Sequence, residues 1–198
     1  MTVANVVIQQ FTGASPTKTT VTTPRLSTSD SAAPGTANPI PIPAAGFSYS
    51  YWMTLHLTIA AMNSATVLNN HKFYSDGTVA WTFGSGGGLL ICKKSTGDNG
   101  VPVASYQIAA GTPGTTGIYT DVTSTGHAYY DVDSSNHAAP VSVATYTTGS
   151  MLTIDTGDHI TAEGFKGTVL QCKVDTAANG AARGAQAAET LTYQYDEV

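Results

Sequence analysis

Thirteen carboxylates and five histidines carry most of the proton-transfer and metal-binding chemistry available to this chain. Many of the acids, among them Asp76, Asp98, Asp155 and Asp158, fall in Gly-, Ser- or Thr-rich stretches, where Asp is favoured because it bonds its own backbone. A glycosidase needs two acids facing each other across a cleft, and no spacing here marks such a pair. Asp131-Val132-Asp133-Ser134-Ser135-Asn136 alternates oxygen-bearing side chains in the manner of a calcium loop. It lacks the central glycine and the distal bidentate glutamate, so a solvated turn is the expectation. His56, His71, His127, His137 and His159 show neither an H-E-x-x-H motif nor a paired spacing, and no serine stands in a G-x-S-x-G elbow. We therefore expect no catalytic residues, no cofactor and no metal site.

Aromatic side chains offer a different chemistry, since exposed rings can serve as platforms for sugars. Tyr49, Tyr51, Trp52, Tyr74, Trp81, Tyr129 and Tyr130 are the candidates. Packing in the core or between subunits is the competing use of rings with so much apolar area. Cys92 and Cys172 each lie in an apolar run, GGLLICKKS and KGTVLQCKV. Two buried free thiols are expected of a reduced compartment, with a cross-strand disulfide as the alternative.

The elements that must hold these residues read as β-strands. From Trp52 to Ile59 the side chains alternate, with Met53, Leu55, Leu57 and Ile59 on one face and Trp52, Thr54, His56 and Thr58 on the other. That period of two marks a half-buried strand, which places His56 on its polar outer face or at an interface. HKFYS and TVAWTF flank Asp76-Gly77, and MLTI and HITAEGF flank Asp155-Thr156-Gly157-Asp158, so two hairpins are expected. Further strands are expected at 3–12, in LLICKK, ASYQIAA, IYTDVTS, HAYYDVD, PVSVATY and KGTVLQCKV, and in the alternating TLTYQYDEV. The cluster Gly84-Ser85-Gly86-Gly87-Gly88 reads as a flexible turn. DTAANGAARGAQAAE, broken by Gly180 and Gly184, reads as a loop with at most one helical turn. Ten to twelve short strands with no amphipathic helix make an all-β fold, an antiparallel sandwich.

Between Gly13 and Ala45 the chain changes character, with six of its nine prolines among many Ser, Thr and Ala. Each proline removes a backbone donor and disfavours helix before it. Two readings remain open, a flexible linker and an extended arm that gains order on a neighbouring subunit. On this basis residues 1–45 form an N-terminal strand and arm, and 46–198 the sandwich domain.

Only 11% of residues are charged, against about 25% in typical soluble domains. Charge depletion of this kind suits surfaces that pack on other subunits. The net charge is −5 and the basic residues are scattered, which argues against nucleic acid as a partner. Lys93-Lys94 at a strand end reads as protection of an edge. MTVANVVIQQF has no basic n-region or long apolar run, and no window approaches a membrane span, so synthesis in a cytoplasm is expected.

FSYSYWMTLHLT with NNHKFYSDG, KGTVLQCKVDTAANG, and ETLTYQYDEV together give the chain a character that resembles small virion structural proteins of tailed bacteriophages. These stretches cover about a quarter of the chain. The resemblance implies a sandwich, jelly-roll-like, that assembles on the particle. The expected role is non-enzymatic, a capsid decoration or cement protein bound to the major capsid protein or other virion proteins and located in the virion. It is expected to act as a homo-oligomer, with a trimer favoured. A neck or tail accessory protein and a carbohydrate-binding adhesin module are the alternatives.

Overall fold

The computed structural model describes residues 3–12, 17–51, 53–93, 141–162, 164 and 167–198. Ten strands are found among them, with two single 3-10 turns and no α-helix. In chain order they are β1 (Asn5–Thr12), β2 (Thr17–Thr20), β3 (Ser48–Tyr49), β4 (Met53–Ala61), β5 (Leu68–Ser75), β6 (Gly88–Lys93), β7 (Val141–Ser142), β8 (Leu152–Asp155), β9 (Thr168–Val174) and β10 (Leu191–Glu197). A seven-stranded sheet runs β2-β1-β4-β9-β6-β7, with β3 also paired to β9, and a three-stranded sheet runs β10-β5-β8. Every pairing is antiparallel. The expectation of an all-β antiparallel fold of two sheets is met.

β9 is the axis of the larger sheet. Its run TVLQCKV is apolar or β-branched at nearly every position, the composition of a strand covered on both sides. Register makes the two faces explicit. Thr168 lies opposite Leu55, Leu170 opposite Met53 and Ile91, and Cys172 opposite Leu89, all on the face turned toward the smaller sheet. That face and Phe73 and Ile154 of the smaller sheet form one buried cluster. Val169 and Gln171, on the other face of β9, are fully buried as well. Gln171 donates to the Ser50 carbonyl there.

Three strands cannot cover the inner face of seven. The remainder is closed by the proline-rich segment, whose Val21, Leu26, Ala32, Ile40 and Ile42 join the same cluster. Backbone bonds pin it, from Val21 N–H to Ile8 C=O and from Tyr51 N–H to Ser27 C=O. Residues 21–42 thus dock on the chain's own core, and residues 17–20, expected to be irregular, pair with β1 as β2. β1 itself lies inside the larger sheet between β2 and β4, so β1, β2 and the strands that follow share one sheet.

Neither expected hairpin forms. Asp76-Gly77 does turn the chain, with Gly77 at φ +90° and the Asp76 carboxylate accepting from Thr78 N–H and Oγ1–H. But β5 is already flanked by β10 and β8, so TVAWTF finds no free edge and continues as a loop. Asp155–Asp158 is not a reversal at all. Phe73 pairs with Leu152, Lys72 with Thr153, His71 with Asp155 and Leu68 with His159, so the chain keeps running along β5 past two one-residue irregularities. PVSVATY forms only the two residues of β7 before a 3-10 turn at Val143–Thr145. The glycine cluster is a packed turn rather than a loose one. A Cβ at Gly87 would lie 2.5 Å from the Phe83 carbonyl oxygen and 2.6 Å from that of Lys173. DTAANGAARGAQAAE, as expected, is a loop with one 3-10 turn at Ala177–Asn179. The strands expected in ASYQIAA, IYTDVTS and HAYYDVD lie outside the described residues.

Candidate functional site

Because TVAWTF is excluded from the sheet, its residues are held by the loop that leads into β10. Phe83 bridges Ala181, Ala182 N–H bonds the Thr82 carbonyl, and Ala80 N–H bonds the Glu189 carboxylate. The indole N–H of Trp81 donates to the Ala187 carbonyl, which fixes one edge of the ring. Phe83 supports it, with ring centroids 5.5 Å apart and planes at 58°. On the other side, the Gly84–Gly87 turn is anchored by Asp175. This carboxylate, only 4% exposed, accepts from the amides of Thr176 and Gly86 and from Asn179 Nδ2. The Asn179 bond, then those amides and the nearby Lys173 charge, hold its pKa below the usual carboxylate value.

Between these two pieces opens a cleft of about 480 Å³. Trp81 and Phe83 form its aromatic side. Thr82, Ser85, Ser142 and Asn179 supply hydroxyl and amide groups, and glycines supply much of the rest. None of the lining residues is charged. The volume falls within the usual range for small-molecule sites.

A second polar cluster is buried between the sheets. His71, opposite Asp155 in the ladder, is fully buried, and Asp155 and His159 are each 5% exposed. His159 Nε2 lies 3.3 Å from Asp155 Oδ2, and Asp155 Oδ1 accepts from Gly157 N–H. The Tyr193 ring lies 5.5 Å from His71, and its hydroxyl shares a 2.6 Å hydrogen bond with Thr168 Oγ1. Burial pushes the Tyr193 phenol well up. Among the described residues no three His, Cys, Asp or Glu side chains are grouped to hold a metal. The Tyr193–Thr168 hydrogen bond joins the two sheets beside this cluster.

The remaining candidates are dispersed. His56 is not on an open polar face. It is 1% exposed, between the Phe11 ring at 4.3 Å and the backbone of Gly167, because both faces of β4 are covered at this point. Tyr49 lies beside Phe47 with the Lys173 ammonium over both rings, Tyr51 follows the buried Ser50, and Tyr74 stands on the small sheet. Of the aromatic candidates that are described, only Trp81 opens on the cleft. Trp52, Tyr129, Tyr130, His127, His137, Lys94 and the Asp131–Asn136 stretch lie outside the described residues.

Cys172 is buried and free, and burial pushes its thiol up. Register puts position 92 opposite Val169 and position 172 opposite Leu89. An offset of three along β9 places the two positions on opposite faces of the sheet. The sequence did not single out Asp175 or Ser85, and the only available signal was their proximity to the glycine clusters. In comparisons with known proteins, no family model, no curated protein and no solved structure matches the chain.

Proposed function

We propose that this chain is a non-enzymatic virion structural protein of the tailed-phage kind, a capsid decoration or cement protein that reinforces contacts between major capsid subunits. Its two-sheet body, on this reading, is jelly-roll-like. The observation that carries the proposal is the place of β2 at the end of the larger sheet among the described residues. Thr17, Thr19 and Thr20 are exposed, and β2 has β1 as its one partner among the described residues. Since Val21 N–H bonds the Ile8 carbonyl, ladder alternation turns the backbone groups of Thr20 away from β1. A strand from a neighbouring subunit could add to that edge and extend the seven-stranded sheet across the contact. The low charge of the chain supports a role in packing against other subunits. So does the gathering of exposed Val3, Ile160 and Val198 around residues 63–68, at one end of the sandwich. An arm that closes its own core makes the body rigid, and rigidity is what a cement protein needs to transmit load.

Thr20→Pro tests the edge, because it removes an outward amide while leaving the β1 bonds in place. Light scattering should show the wild-type chain as an oligomer, a trimer by preference, and Thr20→Pro as a folded monomer. A wild-type monomer, or an oligomer indifferent to Thr20→Pro, refutes the β2 contact. Antibody against this chain should label the heads of phage particles from the source of the gene. Label at the neck or tail would make it an accessory protein of those parts, and unlabelled particles would overturn the virion reading.

A further inference from the structure

We propose that the Trp81 cleft is a binding site for a neutral sugar ring. This proposal stands apart from the assembly role, which uses the β2 edge, so either can fail alone.

The chemistry of the walls selects the ligand. An indole fixed at its N–H edge by Ala187 and backed by Phe83 offers a flat, rigid apolar surface, suited to stacking against the C–H face of a pyranose. Thr82, Ser142 and Asn179 bond within the protein, whereas Ser85 is exposed and its hydroxyl is in no hydrogen bond among the described residues. A purely apolar ligand would desolvate the Ser85 hydroxyl without giving it a partner, which is unfavourable. A charged ligand would find no counter-charge in the lining. Asp175, the nearest carboxylate of the turn, directs both oxygens inward to Gly86, Thr176 and Asn179. What fits is a molecule with one apolar face and an uncharged rim of hydroxyls. Gly84, Gly87, Gly88 and Gly180 add lining without side chains of their own.

The indole N–H resonance of Trp81 in the full-length protein, assigned by its loss in Trp81→Phe, reports on the ring directly. Titration with methyl glucoside, methyl galactoside and N-acetylglucosamine should give a saturable shift with at least one of them. Glycerol, which has hydroxyls but no ring, should not saturate it. Ser85→Ala, an exposed position whose loss leaves the fold intact, should weaken binding about two- to tenfold, the worth of one neutral hydrogen bond. No saturable shift with any of the three sugars overturns the proposal. A response shared by glycerol, or one unchanged in Ser85→Ala, overturns it equally.

Discussion

Replacing Gly167 by alanine should destabilise the protein through a single contact. A Cβ at this position would lie 2.5 Å from His56 Nε2 and 2.6 Å from Cε1, well inside van der Waals contact. His56 cannot retreat easily, because it is 1% exposed and Phe11 sits on it at 4.3 Å. Overpacking of a closed site costs about 1–3 kcal/mol. For a domain of this size that corresponds to a fall in Tm of roughly 2 to 12 °C. The assay is urea and thermal unfolding of wild type, Gly167→Ala, His56→Ala and the double variant. His56→Ala opens a void and is destabilising by itself, but in its background the new methyl has room. The double variant should therefore be more stable than the sum of the single effects predicts, by about 1 kcal/mol. If Gly167→Ala changes stability by less than about 0.5 kcal/mol, or the two changes add, the ring does not pack on this backbone as described.

Tyr193→Phe should cost about 1–3 kcal/mol in urea unfolding, because it strands the fully buried Thr168 hydroxyl, and Thr168→Val in the same chain should recover part of the loss. Alkylation without reductant should label two thiols after unfolding, and Cys172 should stay unlabelled in the native protein at mildly alkaline pH; a single oxidised species would contradict the register of β6 on β9. Asp175 titrates in the folded state below its unfolded value near 3.8, so the stability it contributes is present above that pH and is lost as pH falls through the folded value. Asp175→Asn should flatten the acid limb of the stability curve below about pH 4, and an acid limb identical to wild type would show that the carboxylate is not held as described.

Much of the sheet is legible in the sequence, for local reasons. VANVVIQQFT, WMTLHLTI, KGTVLQCKV and TLTYQYDEV carry period-two or β-branched patterns that depend only on near neighbours, and all four are strands. His56 shows where local reading stops. Alternation put it on a polar face, but whether that face meets water depends on Phe11 and Gly167, which lie 45 and 111 positions away. Hairpin signals failed for a related reason. Asp76-Gly77 has the right turn chemistry, yet pairing also needs an unoccupied edge, and β8 and β10 had taken both sides of β5.

Composition and periodicity alone determined that this chain carries little charge and is built of strands, with no α-helix among the described residues, because those properties follow from side-chain type and spacing. Tertiary structure decided the rest. It folded the proline-rich segment onto the chain's own core, since three strands could not cover seven. It also gathered Trp81, Ser85 and Asn179 around one cleft, from segments nearly a hundred residues apart. No local pattern encodes such a meeting, because it is set by which sheet edges and faces remain free once the strands have paired.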